Sequence, residues 1–306
     1  MKPRIYREMP SEEYHAAPGA NFSRLKILRH ETPADLKAYI DEPPPPSDPM
    51  NLGAAIHDML LLPDKFASQW AISGQCEAFK ADGERCENSG TKFIEGKWYC
   101  GVHSKGKSSE AVHILSSDDA RVIRGLEESA KRHKYAARLF ADDVETELSL
   151  FWNDPETGIL CKARIDLYNR SRKSLVDLKT TSKGIDFKSF RRSCEDFGLW
   201  LQLAHYKAGA EILGLEVNFA AWLAIQTRRP YGIMTWQADE HDLALAEHER
   251  RVLLNLYAQC EKSGVWPGYE EKIGVMSMSP WETRDIEERV EQEVSGERDS
   301  DSQAGD

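Results

Sequence analysis

The most informative stretch of this sequence contains two largely apolar segments, CKARIDL at 161–167 and LVDLKTT at 175–181. The polar run between them indicates a turn, so the stretch predicts two neighbouring β-strands. Side chains alternate between the faces of a strand, and Asp177 and Lys179 therefore share one face of the second strand. With Asp166 on the first strand, the sequence predicts two carboxylates and one lysine close together in a sheet.

This constellation suits a particular chemistry. Carboxylate oxygens on adjacent strands are the hard ligands that Mg²⁺ or Mn²⁺ prefers. A lysine beside such a metal can orient an attacking water and stabilise charge on a phosphoryl oxygen. A carboxylate two residues before a lysine is a weak signal by itself, because such a pair often arises as a surface ion pair.

Further sequence blocks accompany this pair, in order along the chain. They read LGAAIH at 52–57, ELSLFW at 147–152, QLAHY at 202–206 and WPGY at 266–269. Together with KARID at 162–166 and DLKTT at 177–181 they resemble the PD-(D/E)XK nuclease superfamily. Within it, the blocks are most similar to the RecE-type (exonuclease VIII) exonucleases of phages and prophages. The resemblance covers about residues 50–270, and the ordered combination is far more specific than any single block.

The resemblance implies a metal-binding role for several matching residues. His57, Asp166 and Asp177 would be ligands of Mg²⁺ or Mn²⁺, and the Leu178 carbonyl would be a backbone ligand. Glu147 would lie at the edge of the site and contact water on the metal. A histidine in an otherwise apolar helix can also be a satisfied core residue; the other blocks favour the ligand interpretation for His57.

The remaining matches concern catalysis and substrate. Lys179 would be the catalytic lysine. Gln202 and Tyr206 are four residues apart and so share a helical face; the resemblance implies that they hold substrate phosphate or line the site.

The implied activity is that of a Mg²⁺-dependent exodeoxyribonuclease that resects linear double-stranded DNA for recombination. Such enzymes usually work as rings beside a single-strand annealing protein, which implies a homo-oligomer with DNA ends and that protein as partners. A structure-selective endonuclease is the nearest alternative. A catalytically inactive, zinc-stapled DNA-binding module and a zinc-stapled interaction protein are less favoured, because the His, Asp, Asp and Lys set is intact.

A second cluster of ligand-type residues lies in a polar segment at about 74–105 that is not part of the general nuclease pattern. Cys76, Cys86, Cys100 and His103 fall within 28 positions, and Cys100 and His103 have the Cys-x-x-His spacing with which one turn presents two ligands. Four protein ligands leave no open position, so the sequence predicts a structural zinc site in an insertion. The alternative is free cysteines in a loop. Cys161, Cys194 and Cys260 are predicted to be buried small hydrophobic residues instead.

Composition sets the remaining expectations. Charged residues make up 30% of the 306 residues and hydrophobic residues 41%, as in an ordinary globular protein. No apolar run is long enough to cross a bilayer, and the N-terminus has no secretory signal, so we expect a cytoplasmic protein without a membrane partner. The net charge of −11 is concentrated in the acidic tail after Trp281, so charge alone says nothing about partners.

The predicted fold class is α/β, with a central mixed β-sheet flanked by helices (the restriction-endonuclease-like core of the superfamily) and a small zinc-binding insertion. We expect an N-terminal segment over 1–50, a nuclease-like domain over 51–281, and an acidic tail over 282–306 that is disordered or a frayed helix. The predicted helices lie at 51–62, 117–140, 199–213 and 239–262. The predicted strands lie at 144–152, 159–168, 174–180, 218–227 and 231–237.

Overall fold

The structure is a computed structural model, and it describes residues 1–44, 50–72, 74–80, 82–88, 90–106, 113–134, 138, 143–270 and 273–303. The chain divides into two compact units, Met1–Gly268 and Tyr269–Asp306. Among the described residues, no helix combines the length and the apolar content that crossing a membrane requires.

A mixed sheet of six strands forms the centre of the first unit. Its strands are β1 (Arg4–Tyr6), β6 (Val144–Asn153), β7 (Leu160–Asn169), β8 (Ser174–Thr181), β9 (Phe219–Gln226) and β10 (Ile233–Gln237). They are hydrogen-bonded in the order β1-β6-β7-β8-β9-β10. Within this sheet, as far as the structure describes the chain, β8 and β9 are the one parallel pair, and helices connect them as a parallel crossover requires. The predicted α/β fold with a mixed sheet is confirmed.

Two short pairs of strands lie outside this sheet. β2 (Trp70–Ile72) pairs in parallel with β5 (His113–Leu115), and β3 (Lys92–Ile94) forms a hairpin with β4 (Lys97–Tyr99). The first pair brackets the segment that contains Cys76, Cys86, Cys100 and His103 in the sequence.

Helices cover both faces of the central sheet. They are α1 (Ser11–Ala16), α2 (Phe22–His30), α3 (Pro33–Asp41), α4 (Met50–Leu61), α5 (Pro63–Gln69), α6 (Ser117–Arg132), α7 (Phe187–Phe197), α8 (Leu199–Ile212) and α9 (Glu240–Ser263). Helices α2, α3, α7, α8 and α9 contribute to one hydrophobic core, and α4 and α6 contribute to another. The sheet therefore separates two cores, each built from alternate residues of its strands.

The alternation changes face in the middle of strands β6 and β7. Ile165 packs into the core beneath α8, whereas Leu167, two residues later, packs into the core beneath α4. On β6, Leu148 belongs to the first core, and Val144 packs against the second. Between them, Glu147 has a left-handed backbone conformation with a φ of 54°. A regular strand would keep Ile165 and Leu167 on one face, so the sheet is distorted at the level of Glu147 and Asp166.

Most predicted elements are present, with shifted ends. The strands around the turn at 153–158 are confirmed, and Asp154 stabilises that turn by accepting hydrogen bonds from the N–H groups of Glu156 and Thr157 at 3.2 and 2.9 Å. The helix predicted over 117–140 ends at Arg132, because His133 has extended backbone. The sequence also predicts that Asn51 caps the helix over 51–62, but its side chain lies outside the described residues. Helix α7 is missing from the prediction.

The N-terminal residues correct the predicted domain boundary at residue 50. Strand β1 pairs with β6, and Leu25, Leu28 and Leu36 are buried in the core beneath α8. These residues thus belong to the same unit as the sheet. The sequence does not reveal this, since a strand of three residues has no measurable periodicity.

The second unit contains α10 (Pro280–Gln303), where the sequence favours a disordered tail or a frayed helix. The described residues of this segment are helical. Proline at the first helical position, the Ser279 side chain accepting from the Glu282 N–H at 3.2 Å, and an Asp285–Arg289 pair at 2.7 Å all favour a helix.

Candidate active site

Four elements bring the predicted site residues to the distorted part of the sheet. Asp166 lies on β7, Asp177 and Lys179 lie on β8, and Glu147 lies on β6. His57 reaches them from helix α4, which packs against β8. The residues are distant in sequence, and the antiparallel pairing of β6 with β7 and of β7 with β8 makes them neighbours.

His57, Glu147 and Asp166 form the tightest group. One ligand atom from each lies within 4.8 Å of the others, and His57 Nδ1 is 3.9 Å from Asp166 Oδ1. The other oxygen of Asp166 accepts a hydrogen bond from the Leu178 N–H at 2.6 Å. This bond takes the place of a regular ladder bond between β7 and β8 and fixes the orientation of the carboxylate.

Asp177 has a different partner. Its carboxylate pairs with the Lys179 ammonium at 2.5 Å, as expected for residues on one face of a strand. The Lys179 ammonium is also 3.5 Å from the Leu178 carbonyl oxygen. The structure thus groups His57 and Asp166 as predicted and adds Glu147 directly to them, while Asp177 is engaged by the lysine.

Glu147 is held by Arg164, a residue of the KARID block for which the sequence predicts no role. The Arg164 Nε forms an ion pair with Glu147, and Arg164 Nη1 donates to the Met9 carbonyl at 3.0 Å and to Ser149 Oγ at 3.1 Å. A glutamate with a left-handed backbone conformation is strained, and the contacts of Arg164 offset this cost in free energy. The signal available in the sequence is the position of Arg164, two residues before Asp166 in KARID.

Burial controls the electrostatics of the group. Burial raises the pKa of Asp166 to about 7 and that of Asp177 to about 6, and the positive charge of Lys179 opposes both shifts. Burial and the nearby Lys179 lower the pKa of His57, which favours the neutral imidazole that can bind a metal. Carboxylates that are costly to ionise without a cation, beside a neutral histidine, are the donor set of a divalent metal site.

Gln202 and Tyr206 lie on helix α8, and Gln202 is buried. The Gln202 side-chain amide donates to the Tyr206 hydroxyl at 2.8 Å, as their spacing predicts. Burial, followed by the charge of Asp177, raises the pKa of Tyr206 well above its usual value, so the phenol stays neutral beside the carboxylates. The Gln202 carbonyl oxygen has no hydrogen-bond partner among the described residues, which leaves it able to accept one.

The second cluster of ligands is equally compact. We call residues 74–106 the cysteine module. Cys76, Cys86 and Cys100 are buried, and their sulfur atoms and His103 Nδ1 all lie within 4.8 Å of one another. His103 Nδ1 is 3.4 Å from Cys76 Sγ and 3.3 Å from Cys100 Sγ, and Cys86 Sγ is 3.9 Å from Cys100 Sγ.

These distances fit a tetrahedral ion. Zn–S bonds of about 2.3 Å and Zn–N bonds of about 2.0 Å place sulfur atoms about 3.8 Å apart and sulfur and nitrogen about 3.5 Å apart. The backbone N–H of His103 is the largest influence lowering the pKa of the Cys100 thiol to about 6, which favours the thiolate that binds metal. Cys161, Cys194 and Cys260 are buried elsewhere, and burial raises their thiol pKa values, as expected for hydrophobic roles.

Acidic residues and a lysine on three antiparallel strands of a mixed sheet, joined by a histidine from a helix packed on that sheet, are the arrangement of a PD-(D/E)XK-like domain. Residues 21–278 match the family described as a PDDEXK-like domain of unknown function (DUF3799), and the chain belongs to that family. The resemblance to the PD-(D/E)XK nuclease superfamily is therefore confirmed.

A solved structure shares this fold. The chain is similar to a crystal structure described as a "Putative exonuclease" from Eubacterium rectale, with 13% identity, a TM-score of 0.53, and coverage of 89% of this chain and 96% of that one. At this identity the likeness concerns the fold alone. The chain also matches a structure named SSO0001 over 44% of this chain and 70% of that one, with 15% identity and a TM-score of 0.27, too low to support an argument. No curated protein matches the sequence.

Proposed function

We propose that this protein is a divalent-metal-dependent deoxyribonuclease, and that it acts as an exonuclease on linear double-stranded DNA during recombination. One observation carries the proposal: His57, Glu147 and Asp166 converge within 4.8 Å of one another beside the Asp177–Lys179 pair. Phosphodiester hydrolysis needs a cation for the phosphoryl oxygens and a positive group near the attacking water, and these residues can supply both.

His57, Glu147 and Asp166 would hold Mg²⁺ or Mn²⁺, joined by Asp177 and the Leu178 carbonyl as the resemblance implies. The bound cation would act as a Lewis acid that stabilises charge on the phosphoryl group. The donor set fits such a hard cation, because it consists of oxygens and one neutral imidazole.

Lys179 is the proposed catalytic lysine. Its ammonium forms the 2.5 Å contact with Asp177 and remains partly exposed, so it can contact both the carboxylate and an incoming substrate. In this position it would orient the attacking water and stabilise negative charge that develops on the phosphate. Asp177 would hold the ammonium in place.

Gln202 and Tyr206 are the proposed contacts to the DNA backbone. The Tyr206 hydroxyl receives the hydrogen bond from Gln202, so its own proton is free to be donated to a phosphate oxygen. The raised pKa of Tyr206 keeps that proton in place.

The cysteine module is proposed to bind one structural Zn²⁺ through Cys76, Cys86, Cys100 and His103. Its four ligand atoms fit a closed tetrahedral site, and a segment this poor in apolar residues needs the metal to stay folded. We further propose a homo-oligomer that acts in the cytoplasm of a bacterium carrying a phage or prophage, beside a single-strand annealing protein. These last proposals depend on the RecE-type resemblance alone.

The decisive experiment compares linear and covalently closed circular duplex DNA, each incubated with the protein in Mg²⁺, in Mn²⁺ and in EDTA. We expect metal-dependent loss of the linear form only, and no loss with the Lys179→Met variant. Cutting of the circle would replace the exonuclease proposal with an endonuclease. If neither DNA is cut while the protein still binds it, the inactive DNA-binding alternative holds and the proposed activity is refuted.

A further inference from the structure

Asp58, which follows His57 in helix α4, is held by the strand from which the cysteine module departs. Its carboxylate accepts a hydrogen bond from the indole N–H of Trp70 at 2.9 Å and pairs with the Lys65 ammonium at 2.9 Å. Asp58 is buried, and a buried carboxylate needs such partners. The residue beside the proposed metal ligand is therefore fixed to the first residue of β2.

The same strand forms one end of the cysteine module. Trp70 is paired in register with His113 on β5, and the two rings have centroids 4.7 Å apart. The chain leaves this parallel pair at its Ile72 end and returns to it at the opposite end, where His113 lies beside Trp70.

The module is packed tightly just after β2. The Gly90 N–H donates to the Gly74 carbonyl at 2.8 Å, and a Cβ atom on Gly74 would lie 2.6 Å from the Trp98 ring. Trp98 is buried, and its carbonyl accepts a hydrogen bond from the Glu77 N–H at 2.8 Å, next to Cys76. Gly74 follows the last residue of β2 by two positions, so the chain itself ties the packed part of the module to β2, and Trp70 ties β2 to Asp58.

We propose that the cysteine module braces the nuclease site: its metal fixes β2, and Trp70 then fixes Asp58 and the part of α4 that presents His57. Trp70 and Asp58 are positioning residues in this scheme, since neither is a proposed ligand. Because the two sites share one mechanical connection, loss of metal from the module weakens cation binding at His57, Glu147 and Asp166. The inference rests on the proposed function of that group.

Metal affinity is the sharpest readout. Trp70→Phe removes the indole N–H together with part of the ring area, and it keeps an aromatic ring against Phe66 and His113. Calorimetric titration of the full, zinc-loaded chain with Mn²⁺ should show binding about tenfold weaker than wild type, the effect of losing an outer partner of a metal site. Zinc content should not change. Trp236→Phe is the matched control, because it also loses one N–H bond, to the Ile185 carbonyl at 3.1 Å, and should bind Mn²⁺ like wild type.

A double-mutant cycle tests whether the effect passes through the module. Cys86→Ser, which removes a module ligand, should also weaken Mn²⁺ binding about tenfold, and adding Trp70→Phe to it should cause little further loss. Fully additive losses, or wild-type Mn²⁺ affinity in Trp70→Phe, would overturn the brace. If the wild-type chain neither binds Mn²⁺ nor cleaves DNA, the proposed function itself fails and the brace fails with it.

Discussion

The two groups of ligand-type residues in this protein are built in opposite ways. In the sheet, Glu147, Asp166 and Asp177 are a polar minority between two hydrophobic cores that are complete without them. Among the described residues of the cysteine module, Cys76, Cys86 and Cys100 form a small cluster of their own, against which Ala78 packs. We therefore expect folding of the sheet to create the first site, whereas the second site has to stabilise the fold of its own segment through its metal.

This difference predicts opposite responses to the loss of a ligand. In the sheet, burial disfavours the ionisation of Asp166 and Asp177. Such a cost in free energy is typical of functional sites. The described residues of the module bury few apolar side chains besides Trp98, so we expect its stability to depend on the ligands. Three substitutions, taken from the largest expected effect to the smallest, test the contrast.

The largest effect concerns activity at the sheet site. Asp166→Asn should lower DNA cleavage about a thousandfold or more, because it removes a charged ligand from the reacting centre. Without metal, its stability should equal or exceed that of the wild type near pH 7, since a buried charge is gone. If Asp166→Asn instead destabilised the folded chain enough to explain its loss of cleavage, the proposed separation of fold and site would be contradicted.

The pH dependence of stability, compared between the wild type and Asp166→Asn, gives a sharper test. Burial raises the pKa of Asp166 from 3.8 to about 7, so the folded state binds more protons than the unfolded state between these values. The stability that protonated Asp166 contributes in EDTA is therefore present at about pH 4 and lost as the pH rises to about 7. The denaturant midpoint of the wild type minus that of Asp166→Asn, measured at each pH, should fall over this range.

The second substitution tests the module. Cys86→Ser should release about one zinc ion per chain and make residues 74–106 sensitive to protease, while the sheet keeps its unfolding transition. Metal analysis and limited proteolysis measure the two effects. Cys194→Ser is the matched control, because Cys194 is also buried but packs in the main core, so its zinc content should stay unchanged. Equal zinc content in the wild type, Cys86→Ser and Cys194→Ser would refute the proposed zinc site.

Some features of the fold and of the two sites can be predicted from the sequence, and others cannot. Strands β6 to β9 and helices α8 and α9 are predictable, because long apolar runs and turn residues mark them locally. The ligand sets are predictable for the same reason: their spacing is local, or their motifs resemble a family. The close grouping of Glu147 with His57 is not predictable, since it depends on a left-handed residue in the middle of a strand.

Contacts made by the N-terminal residues cannot be predicted from the sequence either, for a related reason. Arg164 reaches the Met9 carbonyl, 155 positions away, and no local pattern announces such a bond. Helix α7 was also missed, although it has good helix signals: Asp186 caps its N-terminus, and Gly198 ends it with a φ of 67°. In that case the signals are present in the sequence and the prediction did not use them.

The smallest expected effect comes from a charged group that serves the fold of the sheet region rather than its chemistry. Lys162 is only 3% exposed, and its ammonium donates to the carbonyls of Tyr14, His15 and Ala17 at 2.8, 3.2 and 2.6 Å. These carbonyls lie at the end of α1, where no helical N–H can satisfy them. Lys162 thereby attaches the N-terminal residues to β7.

Lys162→Met keeps the aliphatic stem and leaves these carbonyls without their donor, so it should lower the free energy of unfolding by about 2–3 kcal/mol. Lys173→Met, at an exposed pair with Glu216, should lower it by less than about 1 kcal/mol. Urea unfolding of the two variants measures the difference. Equal losses would mean that apolar packing alone holds α1 against the sheet, and the contrast with the ligand-built module would become sharper still.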